Sequence, residues 1–147
     1  MIAILVMVTA TQLGCISTSE KQGQTVEVET IRTDIDALSE IFPSLKGIES
    51  TEWEYELMTA KGRTPGPSDY CYRGIIVLDE NSAEKYRNQY EWTEVSEQLL
   101  AQYMDLSQYE KKTWYVSNEM NKDLLSAGYI GNVYFCENYI WFDVITQ

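Results

Sequence analysis

The end of the chain constrains its fold more than any other part. Two runs rich in β-branched and aromatic residues, Asn132 to Cys136 and Tyr139 to Val144, flank the pair Glu137-Asn138. A two-residue connection between such runs closes an antiparallel hairpin and fixes its register. Cys136 then faces Tyr139, Phe135 faces Ile140, Tyr134 faces Trp141 and Val133 faces Phe142. One side of the ribbon collects Val133, Phe135, Ile140 and Phe142; the other collects Tyr134, Cys136, Tyr139 and Trp141. A register slipped by one residue would scramble both sets.

A second strand signal lies upstream. Thr51, Trp53, Tyr55 and Leu57 alternate with Glu52, Glu54 and Glu56, the period of a strand with one buried and one solvated side. Such a ladder spreads its carboxylates along the strand, which suits neither a cation site nor a facing pair of glycosidase acids. Tyr70 to Leu78 is apolar at both parities and reads as a central strand, with Gly74 marking a bulge or a close approach by a neighbouring ring. Thr113 to Val116 adds a short strand. Helices are expected from Thr33, as cap, to just before Pro43; from the capping box at Asn81 to about Tyr90; over Trp92 to Met104; and over Asn118 to Leu125. The sum is an α+β fold: one small domain whose antiparallel sheet of four to five strands, ending in the C-terminal hairpin, is packed by short helices.

Composition narrows function more than fold. Twenty-three acidic residues against eleven basic give a formal charge of −12. That charge repels phosphate backbones and anionic lipid, so neither nucleic acid nor a membrane-docking basic face is expected; a basic protein partner is the charge-matched alternative to simple solubility. Histidine is absent from all 147 residues. This removes Ser-His-Asp and Cys-His nucleophile activation and His-containing zinc sites. No phosphate-cradling glycine loop or dinucleotide fingerprint occurs. No catalytic residue, metal or cofactor is assigned. The four Trp, eleven Tyr and three Phe read mainly as core, since so much aromatic surface cannot all be exposed; an exposed aromatic platform for sugars is the lesser alternative.

Residues 1–14 form an uncharged apolar leader, residues 15–30 a polar tether, and residues 31–147 the globular domain. The leader runs from Met1 into Leu13-Gly14-Cys15 and then into Ser- and Gln-rich sequence. It resembles the signals of small Gram-positive lipoproteins, although Gln12 stands where an aliphatic residue is usual and no basic residue precedes the apolar run. The resemblance implies lipidation of Cys15 and anchoring on the extracytoplasmic side of the cell membrane through that lipid alone, two acyl chains being enough for stable attachment. An ordinary cleaved signal (giving a secreted protein), an uncleaved anchor and an apolar N-terminal strand remain alternatives.

In an exported domain Cys71 and Cys136 are open to disulfide formation, with two small apolar core residues as the plainer reading. Arg63-Thr64-Pro65-Gly66-Pro67-Ser68-Asp69-Tyr70 is the foremost candidate binding loop: its prolines restrict it, and Arg63, Ser68, Asp69 and Tyr70 carry hydrogen-bonding groups. A structural connector is the competing reading. The expected function is a tethered, non-enzymatic binding or interaction module. Its rivals are a carboxylate-dependent cell-envelope hydrolase, which needs Asp69 and a second acid in one cleft, and a structural or immunity-type envelope component.

Overall fold

A computed structural model describes residues 31–58, 69–95, 107–109 and 111–147. The elements, in chain order, are helix α1 (Ile35–Leu38), strands β1 (Ile48–Met58) and β2 (Asp69–Leu78), helix α2 (Glu80–Gln89), strand β3 (Thr93–Glu94), a 3₁₀ turn (Ser107–Tyr109), strand β4 (Tyr115–Val116), helix α3 (Asn118–Leu124), and strands β5 (Tyr129–Cys136) and β6 (Tyr139–Thr146). The strands form a single six-stranded sheet in the order β1-β2-β6-β5-β4-β3, antiparallel at every pairing. Among the described residues no helix is long and apolar enough to cross a membrane.

The β5–β6 hairpin has the register read from its sequence: Cys136 opposes Tyr139, Phe135 opposes Ile140, Tyr134 opposes Trp141 and Val133 opposes Phe142. Glu137 takes a left-handed φ of 56° to close the turn, a conformation that side chains other than Gly and Asn adopt at a cost. Its neighbours hold it there. Arg87 Nη2 donates to the Glu137 carbonyl at 3.1 Å, Lys112 Nζ meets its carboxylate at 2.6 Å, and Leu78 N–H donates to the Asn138 carbonyl at 2.8 Å.

Gly74 is a close-approach residue. It stands opposite Trp53 on β1 and Phe142 on β6. A Cβ at this position would lie 2.5 Å from Trp53 Cβ and 2.6 Å from the Glu52 carbonyl. The strand could not carry any other residue there without β1 moving away.

The three helices cover one side of the sheet. Leu38, Ile41, Phe42, Leu45, Ala83, Tyr86, Met120 and Leu124 pack there against Trp53, Ile76, Val133, Phe135, Ile140, Phe142 and Val144. Phe42 sets its ring edge-on to Phe142 with centroids 5.1 Å apart. The second side carries a smaller cluster of Ile75, Trp114, Cys136 and Trp141, with Tyr109, Tyr134 and Tyr139 packed against it. Both sets of hairpin residues are therefore covered.

Local signals were displaced at several termini. The cap of α2 is Asp79, two positions before Asn81; its carboxylate accepts from Ser82 N–H at 2.9 Å and from the Ser82 hydroxyl at 2.8 Å. These bonds, the backbone one first, hold Asp79 below the usual carboxylate range. Asp34 rather than Thr33 precedes α1 and makes no side-chain cap, because its carboxylate is engaged by Arg32. Trp92 does not begin a helix. Its ring stacks on Phe135 at 4.9 Å and its indole N–H donates to the Arg87 carbonyl at 3.0 Å, so the chain leaves α2 extended and pairs Thr93 with Val116. This makes the sixth strand. The rest of that expected helix, residues 96–104, lies outside the described residues.

Candidate functional site

The solvated-face reading of β1 fails at its middle. Glu54 is only 4% exposed and Glu56 is half-buried. The reason is on the neighbouring strands. Glu54, Arg73, Asp143 and Asn132 stand in one transverse row across β1, β2, β6 and β5, and the Arg73 guanidinium lies 3.5 Å from Asp143 and 3.7 Å from Glu56. A cation placed among carboxylates makes their partial burial tolerable. The row carries one guanidinium, ion-paired with Asp143 and with neighbouring Glu56. Among the described residues no cluster of three or more Cys, Asp or Glu is arranged to hold a metal ion.

The thiols belong to this same side, and both are free and buried. Cys71 pairs with Ile145 and Cys136 with Tyr139, so their rows are separated by the stretch from Tyr139 to Ile145 along β6. That is roughly 20 Å at the rise of a strand, several times the reach of a disulfide. Burial, followed by the nearby Asp143 carboxylate, pushes the Cys71 thiol up to about 12; its Sγ donates to Asp143 Oδ1 at 3.3 Å. Burial also raises Cys136. Neither is an activated nucleophile.

Of the loop residues singled out by sequence, Arg63 and Ser68 lie outside the described residues, as does Cys15. Asp69 opens β2 opposite Met58. Tyr70 is anchored through its backbone N–H to Thr146 Oγ1 at 2.9 Å, and its ring turns to the helix-bearing side of the sheet. There it joins a groove of about 320 Å³ lined by Arg32, Ala37, Glu40, Ile41, Trp53, Tyr55, Tyr70, Tyr72 and Tyr129.

The groove follows from strand alternation. Tyr55 opposes Tyr72 and Leu57 opposes Tyr70, so these aromatic side chains share one side at the far end of β1 and β2. Tyr129 reaches the same end from β5, its ring 6.0 Å from Tyr72. The short α1 covers Trp53, which is 3% exposed, but leaves Tyr55 at 45%. Successive ring centroids lie 5.9–6.2 Å apart from Trp53 through Tyr55 to Tyr70.

Arg32 forms one wall. Its backbone bridges β1, with N–H donating to the Trp53 carbonyl at 2.7 Å and the carbonyl accepting from Trp53 N–H at 2.9 Å. Its guanidinium sits 4.6 Å above the Trp53 ring and 5.7 Å from Tyr55, and Asp34 accepts from it at 3.0 and 2.9 Å. That hydrogen bond lowers Asp34 and raises Arg32. Glu40 stands at the other end. Burial, then neighbouring phenols and Glu40, raises Tyr72; burial, then Glu40, raises Tyr129.

Sequence reading placed these aromatics in the core and so missed Arg32, Glu40, Tyr55, Tyr72 and Tyr129 as a surface. One signal was present: Tyr70 and Tyr72 share a strand side with Tyr55 and Leu57, more aromatic area than a four-residue helix can cover. A second, more apolar hollow of about 420 Å³ lies between Arg87, Trp92, Tyr115, Phe135 and Glu137. It adjoins β3, whose continuation past Val95 lies outside the described residues. Comparison of the chain with protein-family models, with curated proteins and with solved structures finds no match.

Proposed function

We propose that the chain is a non-enzymatic binding module, tethered to the extracytoplasmic side of the cell membrane through a lipid on Cys15, and that the aromatic groove is its binding surface. The observation that carries this reading is the groove itself: ring faces held open at about 320 Å³ beside a fixed guanidinium and an exposed carboxylate. Tyr and Trp offer large rigid contact area at small entropic cost, which is why they dominate binding surfaces. Four tyrosines left partly open beside a fully formed core are costly for solubility unless something covers them. The formal charge of −12 favours a basic protein partner by accelerating encounter. Leu13-Gly14-Cys15 and the polar sequence after it supply the anchor and reach.

The experiment is photo-crosslinking in the native membrane. A benzoylphenylalanine replacing Tyr55 is compared with one replacing Glu84, which lies on the exposed side of α2. An adduct of discrete mass formed at position 55 and absent at 84 is expected. Equal adducts at both positions, or none at 55, overturn the assignment of the groove.

A further inference from the structure

We infer that the Tyr72–Tyr129–Glu40 end of the groove is a subsite for a lysine or arginine side chain of a basic protein segment. The inference rests on the groove being the binding surface, and it names what that surface takes.

Ring geometry is the first ground. Sugar rings stack on flat aromatic platforms. Here neighbouring planes are inclined by 33° between Tyr55 and Tyr72, 49° between Tyr70 and Tyr72, and 67° between Tyr72 and Tyr129. Rings tilted in this way make a concave wall. A concave set of π-faces suits a compact cation, whose attraction to the ring quadrupole does not require coplanarity.

The molecule supplies its own precedent. At the Trp53 end Arg32 already occupies two ring faces, 4.6 and 5.7 Å from their centroids, with Asp34 as its carboxylate at 2.9 Å. The Tyr72 end repeats the ingredients, ring faces and a carboxylate, without the cation. Among the described residues Glu40 takes part in no ion pair, although it is exposed and close enough to act on both Tyr72 and Tyr129. A long cationic side chain entering from solvent would lie along the tyrosine faces and set its charge against Glu40.

Charge complementarity selects the occupant. A protein of net charge −12 attracts basic segments and disfavours acidic ones. One cation on exposed rings and one exposed carboxylate each contribute modestly. The partner must therefore offer several such side chains, or combine one with apolar contact along Tyr55 and Tyr70.

The test uses the full chain with tyrosine-labelled NMR and three probes: a capped tetralysine, its fully Nε-acetylated counterpart, and chitotetraose. Tetralysine is expected to shift the Tyr72 and Tyr129 ring signals. The acetylated peptide should not, and Glu40→Gln should weaken binding about three- to five-fold, the scale of one exposed charge. Glu40 is exposed, so the variant leaves the core untouched. Tetralysine binding that ignores Glu40→Gln, or shifts rings elsewhere, overturns the subsite. Chitotetraose or the acetylated peptide shifting the same rings also overturns it, while leaving the groove as the binding surface. Tighter tetralysine binding in a Lys61→Gln/Arg63→Gln variant would assign the subsite to this chain's own hairpin connection and overturn the partner. Silence of the groove rings to every probe, with no crosslink at position 55, overturns both readings together.

Discussion

The two sides of the sheet do different work with similar residues. On the helix-bearing side Ile140, Phe142, Val133 and Val144 are wholly removed from water and locked by α1, α2 and α3; where the helices stop, the aromatic wall opens into the groove. On the opposite side the buried cluster is four residues deep, Ile75, Trp114, Cys136 and Trp141, and gives way to the Glu54–Arg73–Asp143 row. One side is dry with an open aromatic end, the other mixed and closed by aromatic and ionic cover. Stability is therefore expected to reside in the first side, leaving the second more tolerant of change.

Truncation separates them most sharply. Phe142→Ala removes a fully buried ring in contact with Phe42 and should cost about 4–5 kcal/mol, the upper range for such cavities. For a small domain this approaches total stability. Trp141→Ala, on the opposite side of the same strand pair, should cost about 3 kcal/mol, because half-buried Tyr134, 4.9 Å away, can collapse into the space. Urea midpoints at constant slope measure both. Equal losses would mean that the two sides are equally rigid.

Gly74→Ala tests a tight contact between strands on the helix-bearing side. Its methyl would meet Trp53 Cβ and the Glu52 carbonyl, backbone-level obstacles that no rotamer change relieves. A loss of about 1–3 kcal/mol is expected, the range for overpacking, with β1 displaced and Arg32 shifted over the groove. A stable variant with unchanged groove signals would contradict that geometry.

Sequence revealed most where chemistry was local. The hairpin register was readable because two turn residues leave no slack and both sides of the ribbon were self-consistent. Gly74 was readable because an isolated glycine in an apolar strand has few purposes. Glu54 was not: its burial goes with the pairing of its strand to Arg73, nineteen residues away in sequence and adjacent only through that pairing. The groove escaped for the mirror reason. Alternation correctly grouped Trp53, Tyr55 and Leu57, but how far a helix extends over them is a tertiary fact, and α1 has only four residues. Likewise the two cysteines looked pairable until the strand order set their rows apart. Trp92 misled because the apolar spacing that suggests a helix over Trp92 to Met104 says nothing of a ring already held on Phe135.

Alkaline titration should expose both sides together, with a more gradual effect. Burial raises Tyr72 and Tyr129 on the helix-bearing side, and Cys71, Cys136, Tyr109 and Tyr134 on the other. Tyr90 is pushed to about 12 by burial, then by its hydrogen bond to Asp123. Each folded value exceeds the unfolded one, so above the unfolded values the native state holds more protons. Stability is then fully present below about pH 9 to 10, the ordinary thiol and phenol range, and declines toward pH 12, where Cys71 and Tyr90 titrate. Unfolding midpoints between pH 8 and 12 should fall throughout the upper part of this window. Cys71→Ala and Tyr90→Phe should each flatten the fall, and a midpoint that rises with pH would reverse the sign.

The smallest effect makes the finest distinction. Trp141 is buried, and among the described residues its indole N–H meets no acceptor. An unsatisfied buried donor carries a desolvation penalty of about 1–3 kcal/mol, which must here be offset by what the ring buries against Ile75 and Tyr134. Trp141→Phe deletes the penalty along with part of the ring. The two terms oppose each other, so stability should change by less than about 1 kcal/mol. The change should be far smaller than that for Trp141→Ala. No such offset exists at Phe142, where the ring has no polar atom to lose, and Phe142→Leu should cost more than Trp141→Phe. If the order is reversed, the indole N–H is satisfied in solution, and the second side is closed more completely than its geometry indicates.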